Sequence, residues 1–255
     1  MTLELYHAGL TTCSKKARLC LHEKGLDYIS HYVNLREFEN HTPEYLAINP
    51  NGVVPTLIHD GKAIVESTFI NEYIDEVFPG PALSPSDPVL RAQMRSWGKM
   101  ADDYGLAAVR IPTWSRTKLA AIDALKESNN LDAVVARIPL KDHRDKYRQI
   151  AAGGFSEKEF EDAYAKMDFV YDRVELGLQE GGPYLVGEMF TLADINMLPF
   201  IDQFAKYRPQ LIDDGAHPQT KAWLDRVMAR PTVVTVYNPS DEAPARPPAR
   251  SQSAA

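Results

Sequence analysis

Leu3-Glu4-Leu5-Tyr6 alternates apolar and polar positions, the period of a short strand. From about Cys13 to Lys24 the spacing changes to that of a helix, with Ala17, Cys20 and Leu21 on one face. Gly25 stands where a helix C-terminal cap is expected. Tyr28 to Val33 reads as a second strand, and because a helix joins it to the first, the two are expected to run parallel. Pro43-Glu44-Tyr45-Leu46 fits a short helix and leads into the loop Asn49-Pro50-Asn51-Gly52. Thr56-Leu57-Ile58-His59 and Lys62-Ala63-Ile64-Val65 flank Asp60-Gly61, a two-residue hairpin signal. Phe69, Ile70, Tyr73, Ile74 and Val77 then mark an amphipathic helix, stopped by Pro79 and Pro81.

The resulting order, β-α-β-α-β-β-α over residues 1–80, is that of a thioredoxin-like α/β unit. Residues 81–88, with Pro85 and Pro88, form a short linker. Helical patterning then dominates, with helices predicted near 88–114, 118–130, 156–179, 191–206 and 217–229, so residues 89–237 are expected to be an all-α bundle domain. Residues 238–255 hold four prolines and five alanines without periodicity and are expected to be a disordered tail.

Composition narrows the class. The 255-residue chain carries a net charge of −7, which argues against a surface built for nucleic-acid phosphates. No apolar run approaches the roughly 18 residues of a membrane helix, and no export signal is expected at Met1-Thr2-Leu3-Glu4. Two cysteines, Cys13 and Cys20, are too few for a disulfide framework or a zinc site and suit the reducing cytoplasm.

Chemistry has four candidate places. Thr11-Thr12-Cys13-Ser14 stands at the start of the first helix, where free backbone N–H groups and the helix dipole favour a thiolate or another anion. Lys15, Lys16 and Arg18 follow directly and would add positive potential, although a simple cap and a small buried cysteine account for the same residues. Val54-Pro55 opens the third strand; a cis bond there would turn the Val54 backbone toward an extended peptide. Glu66-Ser67-Thr68 opens the last helix of the α/β unit, as a cap or as a carboxylate site with Glu66 facing an amino group. Thr191 and Asp194, after Gly187, have capping-box spacing and read as a folding signal with a buried aspartate.

Taken in order, these motifs resemble the glutathione S-transferase family over about residues 1–235. The resemblance implies glutathione as co-substrate, with the Val54 backbone pairing with its cysteinyl part beside a cis Pro55. It implies that Glu66 and Ser67 hold the γ-glutamyl end, and that His41 or Asn51 reaches the glycyl carboxylate. The group that activates the thiol would lie among Thr11, Cys13 and Ser14, with Thr11 at the usual position of a serine. A homodimer is implied as well, with no nucleic-acid or membrane partner.

Three subgroups compete for the electrophile. Cys13-Ser14 resembles reductive dehalogenases of chlorinated hydroquinones, and Thr11 to Ser14 also resembles zeta-class maleylacetoacetate isomerases. The segment Arg137 to Ser156, with Glu23-Lys24-Gly25-Leu26 and His59-Asp60-Gly61-Lys62, looks like bacterial β-etherases that cleave lignin-type aryl ethers, a likeness that spans both domains. A hydrophobic aromatic electrophile would then rest on Tyr104, Ile111 and Trp114, unless these are bundle core. A non-catalytic binding module and a thiol transferase built on Cys13 remain open readings of the same residues.

Overall fold

The computed structural model describes residues 2–213 and 215–238, so the expected tail lies, beyond Asn238, outside the described residues. Strands β1 (Leu3–His7) and β2 (Ile29–Tyr32) run parallel, joined by helix α1 (Thr12–Glu23). After α2 (Pro43–Ile48) come β3 (Thr56–His59) and β4 (Lys62–Val65), an antiparallel pair, and β3 lies antiparallel to β1. The sheet order is β2-β1-β3-β4. Asp60 at φ 47° and Gly61 at φ 78° form the left-handed pair that a two-residue hairpin needs, as the Asp-Gly signal predicts.

On the central strand, Leu3 and Leu5 point into the core, and Leu5 pairs with buried Leu57 of β3. Helices α1 and α3 (Ser67–Val77) cover that core through Ala17, Leu21, Ile70 and Ile74, the apolar stripes read from the sequence. Lys24, at the end of α1, is buried and donates to Asp75 (3.0 Å) and to the Pro81 carbonyl (3.1 Å), while Asp75 accepts from the Leu83 amide (2.9 Å). These bonds fasten the linker to the α/β unit.

The single long helix predicted from residue 88 is broken into α4 (Pro88–Met100), a π-helical segment (Ala101–Gly105) and α5 (Leu106–Thr117). Gly105 sits where a Cβ would come within 2.9 Å of the Phe200 ring, so the absent side chain permits close packing. The chain continues through α6 (Leu119–Glu127), α7 (Leu131–Arg137), α8 (Lys141–Ala151), α9 (Glu157–Gly181) and α10 (Leu192–Tyr207). It ends in α11 (Gln210–Asp213), α12 (Pro218–Met228) and α13 (Pro231–Val236). The sequence pattern misses α7, α8, α11 and α13; in α8 only Tyr147 and Ile150 are buried, too few to draw a stripe.

One core runs through both units, from Leu5 and Ile70 to Tyr171, Phe200 and Trp223. A smaller one gathers Phe38 of the α/β unit with Ile122, Val135, Ile138, Tyr147 and Ile150. At the start of α10 the capping box is formed, and Asp194 accepts from the Thr191 amide (2.9 Å), the Leu185 amide (3.1 Å) and the Trp223 indole (2.8 Å). Burial pushes its carboxyl above the usual range, against the pull of those donors. Among the described residues no helix is long and apolar enough to cross a membrane.

Candidate active site

The strand register brings the expected segments to one end of the sheet. Tyr6 of β1 pairs with Thr56 of β3, and Thr56 with Val65 of β4. The next position on each path is therefore His7, Pro55 and Glu66. Past His7 the chain turns into α1 at Thr11; past Glu66 it enters α3 at Ser67. Two helix N-termini and the start of a strand thus share one edge, with their free N–H groups there. Lys16, fully buried, donates to Thr68 Oγ1 (2.7 Å) and ties the two helix starts together.

The Val54–Pro55 peptide bond is cis. The loop before it is held by residues that the sequence does not single out. Tyr45 Oη donates to the Val53 carbonyl (2.6 Å), and Asn49 Nδ2 donates to that carbonyl and to Thr56 Oγ1 (2.9 Å each). Asn40 Nδ2 donates to the Gly52 carbonyl (2.7 Å). None of these bonds goes to Val54, whose amide and carbonyl stay available to an extended ligand backbone. Burial pushes the Tyr45 phenol up to about 12, so it remains a donor at neutral pH. Composition and period carry no sign of these roles; the only hint is the Asn-Pro-Asn-Gly turn itself.

Glu66 has φ 68°, an uncommon conformation for a residue with a side chain, and is exposed at the entrance to α3, while Ser67 and Thr68 are buried. Thr11 is half-buried and its hydroxyl donates to Ser14 Oγ (2.8 Å). Cys13 is a half-buried free thiol that packs on the main core.

Several expectations are corrected by burial. Ser14 is closed off from solvent, and its hydroxyl accepts from Thr11 and from the Ala8 amide (3.1 Å), pinning the turn into α1. His41 is 1% exposed, lies against Phe38 and Tyr147, and offers no surface to a glycyl carboxylate. Burial and the Lys118 charge hold its imidazole down at about 4, so it is neutral. Asn51 is half-buried and its amide donates to Asn49 Oδ1 (3.0 Å), inside the same turn.

The basic cluster is no field at the site. Lys15 pairs with Asp202 on α10 (3.3 Å) and lies 3.9 Å from the centre of the Tyr237 ring. Lys16 also pairs with Asp102 in the π segment (2.9 Å), and Arg18 donates to the Val236 carbonyl (3.2 Å). All three bind the α/β unit to the helical one. Tyr104, Ile111 and Trp114 have three different surroundings. Tyr104 packs at a tilt against Phe169 of α9 (5.0 Å between centres), and both are exposed; Ile111 is buried outside both cores. Trp114 packs on Tyr147 (5.2 Å) in the smaller core.

A cleft of about 490 Å³ lies elsewhere, between Arg18, His22, Tyr28 and Ser30; residues 11–14, 54–55 and 66–67 do not line it. Among the described residues no group of three or more histidine, cysteine or acidic side chains is placed to hold a metal ion.

Residues 12–77 match the family described as "Glutathione S-transferase, N-terminal domain", and residues 132–231 that described as "Glutathione S-transferase, C-terminal domain". Protein LigF of Sphingobium sp. strain SYK-6 is 33% identical over 245 residues, 94% of this chain and 95% of LigF. The crystal structure of beta-etherase LigF from that strain superposes with a TM-score of 0.86 at 32% identity, covering 93% of this chain and 99% of that one. Maleylacetoacetate isomerase of Pseudomonas aeruginosa is 44% identical, but over 96 residues, 36% of this chain and 45% of the isomerase. A glutathione transferase homologue from sulfitobacter, solved with bound glutathione, covers 92% of this chain and 96% of its own at 26% identity and a TM-score of 0.64. Two domain matches, a relative alike over almost the whole chain and an edge with two helix starts and a cis proline agree: this chain belongs to the glutathione S-transferase family, whose co-substrate is glutathione.

Proposed function

We propose that this transferase is of the β-etherase type, in which the glutathione thiolate displaces a phenoxide from an alkyl carbon of a lignin-type aryl ether. The observation that carries this reading is the likeness to LigF over 94% of the chain, against 36% for the isomerase. In the reaction a sulfur–carbon bond forms as the carbon–oxygen bond breaks. The thiol proton leaves to solvent beforehand, and the phenoxide takes one from solvent afterwards.

The Val54 backbone pairs with the cysteinyl part of glutathione beside cis Pro55, and Glu66 and Ser67 receive the γ-glutamyl end at the start of α3. Thr11, half-buried where Ser14 is buried, donates to the thiolate by turning its one hydroxyl proton from Ser14 Oγ, where it rests in the free protein, to the ligand. A free thiol titrates at about 8.5, and lowering that by roughly 2 units takes about 2.7 kcal/mol, the order that one charge-assisted hydrogen bond and a helix terminus supply. Cys13 is the alternative group, as the nucleophile of a thiol transferase. The division into residues 1–80, 81–88 and 89–237 belongs to the same reading, as does a homodimer. Exposed Phe69 on α3 and Val89 and Leu90 on α4 support an apolar contact with a second copy. The free cysteines favour the cytoplasm.

The test is release of phenol from a model β-aryl ether with glutathione present. Phenol and a glutathione thioether are expected in equal amounts. Absence of both, with turnover of a maleyl compound or a chlorohydroquinone, overturns the β-etherase assignment and leaves the family intact.

A further inference from the structure

Lys118 stands where α5 ends and α6 begins: its amide donates to the Trp114 carbonyl (3.0 Å) and its carbonyl accepts from Ile122 (2.9 Å). Its side chain reaches across to the α/β unit. The ammonium donates to the Leu35 carbonyl (3.0 Å) and lies 5.7 and 5.6 Å from the ring centres of Phe38 and Tyr147. Lys118 is 8% exposed, and among the described residues no carboxylate pairs with it. A buried cation without a counter-charge is costly, whereas a methionine of similar length would fill the same space without that cost.

What this charge touches leads to the glutathione edge. Leu35 and Phe38 belong to the loop that also carries Asn40, and Asn40 donates to the Gly52 carbonyl (2.7 Å). A Cβ on Gly52 would meet His41 at 3.0 Å and Pro139 at 3.1 Å, so the extension α6–α8 presses on the turn from the other side. Two residues on stands Val54. A chain of contacts therefore runs from the α5–α6 junction to the backbone that receives glutathione.

We infer that Lys118 is a positioning residue for glutathione: its ammonium holds the 35–41 loop on the helical extension and, through Asn40 and Gly52, fixes the turn that presents Val54. The inference rests on the glutathione reading of that turn, while the clamp itself is a property of the free protein.

The charge is one that titrates. Burial, and then the Arg36 charge, push the Lys118 ammonium down to about 8. The groups that share its field are Arg36 in the loop, His41 in the short turn before α2 and His143 on α8. Burial holds His41 and His143 down at about 4, so both are neutral there. Asp142 on α8 is engaged by Arg110 (2.9 Å) and by Lys146. As pH rises through about 8 the amine keeps its bond to the Leu35 carbonyl and sheds the cost of a buried charge, so the clamp tightens.

The experiment compares the native protein with Lys118→Met and Lys118→Arg. Hydrogen exchange without ligand reads the clamp: exchange of the 35–41 and 50–54 amides should quicken in the methionine variant and stay near native in the arginine variant. Binding of S-methylglutathione, whose blocked thiol does not titrate, reads the coupling. The methionine variant should bind about five- to tenfold more weakly at neutral pH, and the arginine variant close to native. Relative to Lys118→Met, native affinity should rise between about pH 7 and 9, as the buried charge is lost and the bond to Leu35 is kept. Unchanged exchange and affinity in Lys118→Met would reduce Lys118 to a space-filling residue. If the native protein fails to bind the probe, the glutathione reading fails, and the exchange data still decide the clamp. Should the methionine variant not fold, the native pH series and the arginine variant decide the coupling.

Discussion

Thr11 and Cys13 differ from Ser14 by what covers them. Ser14 is buried and Thr11 and Cys13 are half-buried, so in the proposed site the thiolate of glutathione meets Thr11 first. Thr11→Val keeps the shape and removes the hydroxyl; kcat/KM for ether cleavage should fall about 10- to 100-fold, the equivalent of one hydrogen bond to a charge. Cys13→Ala should change it less than about twofold, because a small group that packs on the core is replaced by another. Steady-state rates on both variants check this, and loss of activity in Cys13→Ala alone would favour the thiol-transferase reading. Lys118 makes a second prediction at this scale. Its folded ammonium titrates at about 8 against an ordinary 10.5, so the unfolded chain binds the proton more tightly between those values. Stability therefore rises with pH across that window, and below about 8 the buried charge carries its full cost. Lys118→Met should lack that rise across the window, as thermal melts at a series of pH values would show.

At the scale of elements, local pattern located nearly everything that positions the site. The alternation in Leu3 to Tyr6, the Asp-Gly turn and the stripe from Phe69 to Val77 place the strands and helices whose ends make the edge. Each is decided by neighbours within a few positions, so it is legible without the fold. The turn before cis Pro55 is not, since Tyr45, Asn49 and Asn40 act on it through single hydrogen bonds that no period announces. Gly52 is the tightest point of that turn, at φ +63° with neighbours 3.0–3.1 Å from any Cβ. Gly52→Ala should destabilise the protein by about 1–3 kcal/mol and weaken glutathione binding, as a denaturant melt and a binding titration would read. Helix α8 shows the opposite failure, because a helix that buries only Tyr147 and Ile150 writes almost nothing into the hydrophobic pattern.

At the scale of the molecule, the two units share one core and are fastened by ions. Arg230 forms a two-pronged pair with Glu23 (2.9 and 2.6 Å), bolting the segment before α13 to the end of α1. Asp194 gathers donors from three places at the start of α10; Asp194→Ala leaves the Trp223 indole and two backbone amides without partners and should cost about 3–5 kcal/mol, visible as a lower midpoint in denaturant. Its role follows from Thr-x-x-Asp spacing, so the sequence by itself determined it, as it did the two architectures, the hairpin and the three segments of the edge. All of these depend on residues close in the chain. Only the tertiary structure decided where the cations go. Lys15 reads as a charge beside an anion site, yet its partner Asp202 is 187 positions away; Lys16 finds Asp102 at a separation of 86. Burial of Ser14 and His41, and the reach of Lys118 to Leu35, are likewise set by surfaces that meet only after folding. A charge or a hydroxyl carries its chemistry in the sequence, but what it touches depends on what the fold packs around it.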